Sequence, residues 1–323
     1  MKVLLLTPQP PDPPHQGTAL RNLQILRGLA AAHEIDLLAF EPADAKSNIP
    51  DSLQALCHKV TVVAEPMRST SRRLWQMTAS TKPDMALRLK DPAYESMLKT
   101  MLRENAYDIV QIEGIELAWA AQVVRDISPA TPLVYDAHNA EALLQSRAGQ
   151  ADWQRISRWH AALYSFIQSR RLAAYEKWIC ETADWVTCVS EPDQDAIVRL
   201  APRAAGRITV IPNCIDVASY RPPVDLQLDS HQYDVVFSGK MDYRPNVDAV
   251  LWFADEIWPR IRAKKPDARW VVAGQRPHAR LQRLEGREDI TLTGWVPDIL
   301  PLLWGGVVFV MPFRVGSGTR LKL

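Results

Sequence analysis

Two stretches of this 323-residue chain put polar chemistry at the end of an apolar run. In Leu133-Val134-Tyr135-Asp136-Ala137-His138-Asn139-Ala140-Glu141 a buried-strand pattern delivers His138 at its carboxyl end, with Asp136 or Asn139 placed to fix the ring. A histidine there can hydrogen-bond a hydroxyl or assist proton movement. In Val307-Val308-Phe309-Val310-Met311 a second apolar run leads to Gly316-Ser317-Gly318-Thr319, and Thr319–Leu323 reads as the opening turn of a helix. Strand, glycine-rich loop and helix start make an anion cradle. Glycines admit close backbone approach, the first helical N–H groups are unpaired, and the dipole favours a phosphate.

Three further segments follow strand-like runs. Thr7 to Thr18 holds several prolines, and Gly17 and Thr18 open a helix where backbone can approach a ligand; the same segment reads equally as a stiff surface loop. Phe237-Ser238-Gly239-Lys240-Met241-Asp242-Tyr243-Arg244 offers two cations, Arg244 able to bind phosphate oxygens bidentately and Lys240 as a point charge, or simply two surface cations near a turn. Around Gly294, Trp295 and Val296 the backbone can read a base edge, or the segment is a turn with Pro297 at the first helical position.

Other chemistries lose support. The chain has no G-x-G-x-x-G, G-x-S-x-G, H-E-x-x-H or Walker A lysine. Its four cysteines form no C-x-x-C pair, so neither a metal site nor a disulfide framework is expected. With 47% hydrophobic residues, 23% charged residues and a net charge of +1, the chain reads as globular, with no bias toward nucleic acid. A cytoplasmic setting follows from cysteine usage and from apolar runs too short for a signal peptide or a spanning helix.

The elements that must position these residues alternate. Strands are expected at Val3–Thr7, Ile35–Phe40, Val60–Ala64, Ile109–Ile112, Leu133–Asp136, Trp185–Val189 and Ile208–Ile211, with helices such as Thr18–Ala32, Tyr94–Glu104, Leu117–Asp126 and Glu191–Leu200. That pattern predicts a parallel sheet with helices on both faces and binding residues at the strands' carboxyl ends. After a proline-rich stretch at Tyr220–Asp225 it restarts, with strands at Asp234–Ser238, Trp270–Ala273, Ile290–Thr293 and Val307–Met311 and helices at Val247–Lys264, Pro277–Leu284 and Pro297–Leu303. Two α/β domains are therefore expected, 1–218 and 219–323, facing across a cleft. The segment 152–178 mixes aromatics with arginines. It reads either as a helix packing its aromatics on the sheet or as a peripheral contact with an anionic membrane surface.

Taken in order, the Gly17-Thr18 loop, Asp136-Ala137-His138-Asn139, Thr187-Cys188-Val189-Ser190-Glu191, Val210–Asp216, Ser238-Gly239-Lys240-Met241-Asp242, Leu292–Val296 and Pro312–Arg320 resemble the retaining GT-B glycosyltransferases of group 1. The resemblance implies a GT-B-like fold of two Rossmann-like, doubly wound domains, the first for the acceptor and the second for a nucleotide-diphosphate sugar. It implies contacts to the donor phosphates from Gly17, Thr18, Lys240, Arg244, Gly316, Ser317, Gly318 and Thr319, to the transferred sugar from His138 with Asp136, and to the base near Trp295 and Val296. Lys240 stands where the family usually has arginine, and Arg244 substitutes for a lysine whose place falls at Pro245. Ser317 stands where many relatives carry a first glutamate, and the second would fall beyond Leu323. The closing helices of the family lie there too, so the second domain is expected to be incomplete.

The activity so implied is hexosyl transfer from a UDP- or GDP-linked sugar to a saccharide or lipid-linked acceptor, without metal or other cofactor, in polysaccharide biosynthesis, cytoplasmic or peripheral at the inner membrane face. A sugar-nucleotide epimerase of similar architecture and a catalytically dead nucleotide-binding relative are the alternatives.

Overall fold

The computed structural model describes residues 1–14, 17–41, 49–69, 71, 75–76, 79–145, 159–222 and 232–314. They separate into two compact units, Met1–Ile215 and a second starting at Asp216.

The first unit is built on a parallel sheet of β1 (Lys2–Thr7), β2 (Glu34–Glu41), β3 (Lys59–Ala64), β4 (Ile109–Glu113), β5 (Leu133–Ala137), β6 (Trp185–Cys188) and β7 (Ile208–Val210). The strand order is β3-β2-β1-β4-β5-β6-β7. The chain winds outward from β1 in one direction, returns, and continues from β4 in the other, so the topological switch point lies between β1 and β4. Strands buried on both faces need apolar side chains on both, which is why Val3-Leu4-Leu5-Leu6 reads as an unbroken run.

Alternation along each strand assigns the faces. Leu4, Leu6, Val110, Ile112, Leu133, Tyr135, Ala137, Val186 and Cys188 join one core with residues of the helices Pro92–Glu104, Ala120–Ile127 and Trp159–Thr182. Tyr94 anchors it, stacked on Phe40 at 4.3 Å and donating its hydroxyl to the Leu38 carbonyl at 3.0 Å. Val3, Leu5, Ile35 and Leu37 point the other way and pack with Leu26 of the helix Gly17–Ala30. The in-between residues Gln111, Glu113, Asp136 and Thr187 must therefore face the side of that helix. Register sets Glu113 beside Asp136 and Asp136 beside Thr187.

The second unit repeats the plan with β8 (Tyr233–Ser238), β9 (Trp270–Ala273), β10 (Ile290–Gly294) and β11 (Gly306–Phe309), all parallel, in the order β10-β9-β8-β11. Its core centres on Trp258, Trp270, Phe253 and Phe237, with Phe253 and Trp270 rings 4.7 Å apart.

Three helices of the second unit differ from the sequence pattern, and in the first unit the helix expected from Leu117 runs over Ala120–Ile127 behind a 3-10 turn at Ile115–Leu117. The helix expected over Val247–Lys264 runs instead as Arg244–Trp252, a π turn at Phe253–Ile257, and Trp258–Lys264. Pro259 is the cause, since it has no N–H to donate and its ring would strike the carbonyl one turn back. Pro277–Leu284 contracts to a 3-10 helix, Ala279–Leu284, capped by His278. The helix expected over Pro297–Leu303 begins at Leu300, so Pro297 precedes it and Pro301 lies in its first turn; Asp298 accepts the Leu300 N–H at 2.9 Å. Among the described residues no helix is long and apolar enough to cross a membrane.

Backbone contacts lace the carboxyl ends of β8, β9 and β10 together. Gly239 donates to the Ala273 carbonyl at 2.9 Å and Gly274 to the Gly294 carbonyl at 3.0 Å. A Cβ on Gly274 would lie 1.6 Å from the Gly239 carbonyl oxygen, so only glycine fits. Gly274→Ala is expected to lower stability by about 3 kcal/mol, the upper end for overpacking, as a drop in the urea midpoint. Gly28→Ala, where the added methyl meets nothing beyond its own helix backbone within 4 Å, is expected to raise it by about 0.5–1 kcal/mol.

Candidate active site

The in-facing row at the carboxyl ends of β4 and β5 is ionic, and the helix that follows β1 brings its counter-charge. Arg21, 4% exposed, donates Nε to Asp136 Oδ2 and Nη2 to Asp136 Oδ1, both at 2.6 Å. Its third nitrogen donates to the Ile211 carbonyl at 2.9 Å and to Asn213 Oδ1 at 3.0 Å. The Thr187 hydroxyl also donates to Asp136. One guanidinium thereby ties the start of the first helix, the end of β5 and the segment beyond β7.

His138 enters this arrangement from just past β5. Its Nε2 lies 3.1 Å from Glu113 Oε2 and 3.3 Å from Asp136 Oδ2. Glu113 is fully buried and Gln111 donates to its other oxygen at 2.6 Å, while the buried Asn22 amide lies against Glu113 Oε2, His138 Nε2 and the Thr18 carbonyl. Gly114, at φ 83°, lets the chain turn over the ring: a Cβ there would lie 3.4 Å from His138 Nδ1.

The charges follow from this geometry. Burial opposes the ionised form of Asp136, but the Arg21 and His138 hydrogen bonds outweigh it and hold the carboxyl well below its usual range. Burial and the neighbouring Asp136 charge push Glu113 up to about 7, against the pull of His138. Burial works against the His138 imidazolium, yet hydrogen bonds to Asp136 and Glu113 win and raise it to about 10. At neutral pH His138 is therefore a cation, a hydrogen-bond donor and not a general base. Of the two orienting partners expected for His138, the structure supplies Asp136; Asn139 instead donates to Glu141 at 2.9 Å.

Glu113, Asp136 and His138 offer three donor atoms within 4.8 Å of one another. A metal ion there would have to displace the bidentate guanidinium from Asp136, so the donor set suits the internal cation better. Gly17 begins its helix exposed, and Thr18 is half-buried behind it.

In the second unit Lys240 follows β8 in a loop whose hydrogen bonds include Gly239 to Ala273, Met241 N–H to the Gln275 carbonyl at 2.9 Å, and Asn246 to the Lys240 carbonyl at 2.8 Å. Its ammonium is half-exposed, 3.8 Å from Asp242. Arg244 is exposed at the first position of the helix Arg244–Trp252, whose first turn holds no acidic residue. Arg314 grips Asp248 of that helix with two hydrogen bonds, at 2.6 and 3.0 Å, and Phe313 packs on Phe237 at 5.8 Å. The chain is thus clamped beside β8 just before Gly316, Ser317, Gly318 and Thr319, which lie outside the described residues. Trp295, 64% exposed, and half-buried Val296 follow β10 past Gly294, which sits at φ 68°. Lys240 and Arg244 thus share one strand-end loop, while Trp295 and Val296 belong to another.

Residues 15–219 match the family model described as Glycosyltransferase Family 4, and residues 232–323 match that of Glycosyl transferases group 1. The chain belongs to the group 1 glycosyltransferases. This glycosyltransferase is similar in fold to the Anabaena protein HepE solved with UDP and glucose, at 17% identity and a TM-score of 0.57 over 94% of this chain and 71% of that one. It is also similar to an Escherichia coli structure titled trehalose-6-phosphate bound with UDP-2-fluoro glucose, at 14% identity and 0.58 over 100% and 80%. A Listeria monocytogenes structure titled putative UDP-N-acetylglucosamine 2-epimerase matches at 12% and 0.53 over 93% and 70%. These likenesses establish the GT-B fold. Among curated proteins, a component of the Arabidopsis thaliana phosphatidylinositol N-acetylglucosaminyltransferase is 24% identical over 108 residues, 33% of this chain and 23% of that protein's length.

Sequence reasoning missed Glu113, Arg21 and Asn22. A lone glutamate at the end of an apolar run looks like the start of a loop, and Gly114 behind it was the one signal to the contrary. Arg21 in a helix reads as a solvated charge, because its partner lies 115 residues away.

Arg21→Ala in this glycosyltransferase leaves Asp136 buried without its guanidinium, and is expected to cost about 3–5 kcal/mol in a urea titration. Folding also raises the His138 value from 6.5 to about 10, so its stabilisation is complete below pH 6.5 and lost as pH rises toward 10. Stability of the parent is expected to decline across pH 7–10 more steeply than that of His138→Gln, measured as urea midpoints on a pH series.

Proposed function

We propose that this chain transfers a hexosyl group from a UDP- or GDP-linked sugar to a saccharide or lipid-linked acceptor, with retention at the anomeric carbon. The observation that carries the reading is His138 at the carboxyl end of β5, its Nε2 held 3.1 Å from Glu113 and 3.3 Å from Asp136, in a chain of this family.

In this reading the second unit takes the nucleotide. Lys240, Arg244 and the amides of Gly316, Ser317, Gly318 and Thr319 bind the diphosphate, joined by Gly17 and Thr18, and the segment at Trp295 and Val296 meets the base. His138 donates a hydrogen bond to a hydroxyl of the transferred sugar. The bond from the anomeric carbon to the diphosphate oxygen breaks, its electron pair leaves with the diphosphate, and the acceptor oxygen bonds the same carbon as its proton departs. Fixed cations and helix N–H groups stabilise the charge that develops on the leaving group. They supply what a divalent metal would, so the reaction proceeds without one.

The setting we infer is saccharide or glycolipid assembly on the cytoplasmic side of a membrane, with 152–178 as a peripheral contact. Within that segment Phe166 is exposed beneath Arg170, at 4.6 Å, whereas Tyr175 is buried and stacked on Trp178.

The test is a donor and acceptor screen with UDP, GDP and ADP sugars, read by nucleotide release, by product anomeric configuration and by thermal shift. A retained product formed in the presence of EDTA is expected, with His138→Ala lowering kcat at least ~100-fold while donor affinity stays within a few-fold. Epimerised free sugar nucleotide without acceptor would favour an epimerase, and nucleotide binding without turnover would favour a dead relative. No thermal shift with any nucleotide would sink the donor site.

A further inference from the structure

Two buried carboxylates outside the ionic cluster grip the turn that carries His138. Glu176, 1% exposed, projects from the helix Trp159–Thr182 and accepts the Glu141 N–H at 2.7 Å on one oxygen and the Ala142 N–H at 3.0 Å on the other. Asp193, 2% exposed, projects from the helix Glu191–Leu200 and accepts the Ala140 N–H at 3.1 Å, while the Ser190 hydroxyl donates to its second oxygen. Three consecutive backbone N–H groups are thus held from two different helices.

Holding them this way is costly. Burial pushes Glu176 up to about 7, and what relieves it is the Ala142 and Glu141 N–H groups, with the Asp193 charge adding to the strain. A buried carboxylate without a cation is an expensive helix cap where a serine or asparagine would serve. What a carboxylate adds is two acceptor oxygens on a rigid plane, which fix two successive N–H groups and hence the direction in which the chain leaves β5.

We propose that Glu176 and Asp193 are positioning residues that hold the 138–142 turn so that the His138 ring stays between Glu113 and Asp136. The proposal rests on the reading of His138 as the group that meets the donor sugar, but its geometry can be tested without turnover. Four proteins are compared by NMR titration of His138 and by steady-state kinetics: the parent, Glu176→Gln, Asp193→Ala and Asp193→Asn.

The Glu176→Gln change keeps one acceptor oxygen and loses the other, whereas Asp193→Asn keeps the oxygen for the Ala140 N–H and gains an amide that can donate to Ser190. Glu176→Gln and Asp193→Ala are therefore expected to lower the His138 midpoint by about one unit or more, and kcat about tenfold, with donor KM within about twofold. Asp193→Asn is expected to match the parent in both. A parental His138 midpoint in folded Glu176→Gln and Asp193→Ala would overturn the proposal. If no donor is turned over by the parent, the transferase reading fails, and the midpoints still decide this one. Should Glu176→Gln not fold, the two Asp193 variants carry the decision.

Discussion

The bidentate pair between Arg21 and Asp136 is the interaction on which the first unit's site depends. A carboxylate with no exposure could not stay ionised at the end of β5 without a buried guanidinium. Ionised, it holds the His138 proton and adds to the burial that pushes Glu113 up to about 7. The same guanidinium reaches the Ile211 carbonyl and Asn213, so the segment leading out of the unit is tied to the site's charge balance. Remove the pair and the site loses its cation, its histidine and its last strand's exit together.

The second unit rests on a different constraint, the closeness of its strand ends. Gly239, Gly274 and Gly294 bring three loops to backbone contact at the carboxyl end of the sheet, and Lys240 and Arg244 emerge from the first of these loops. Arg314 then fastens the chain beyond β11 to the helix that Arg244 begins. Cations and a helix start are thus presented by a lattice of main-chain bonds, and side chains there are free to be polar. In the first unit, apart from the turn at Gly114, buried side chains carry the constraint.

This contrast explains what was legible beforehand. Parallel strands are apolar or β-branched runs, buried along β1 and β9 and still β-branched in the more exposed β3 and β11, so every strand from β1 to β11 could be read from sequence to within two residues, and the alternation with helices gave the doubly wound plan. His138 and Asp136 were visible because they follow such a run directly. Helix continuity was less legible. One proline, Pro259, converts a periodic stretch into two helices and a π turn, and periodicity alone does not weigh it. The partners Arg21, Asn22 and Glu113 were invisible because pairing across the switch point depends on which face each strand turns to the first helix. That is a property of the assembled sheet, and no local window contains it. Glu176 and Asp193 were hidden for the same reason.

The central claim is that His138 is a cation at neutral pH, raised by Asp136 and Glu113, with Arg21 holding Asp136 ionised. The most direct measurement is the pair of ring-nitrogen chemical shifts of His138 in the parent protein, labelled with 15N-histidine and followed from pH 5 to 10. Both nitrogens are expected to remain protonated at pH 8, with the midpoint toward 10. A midpoint at or below the ordinary 6.5 would contradict the account, because His138 would then be neutral where the chemistry needs a donor.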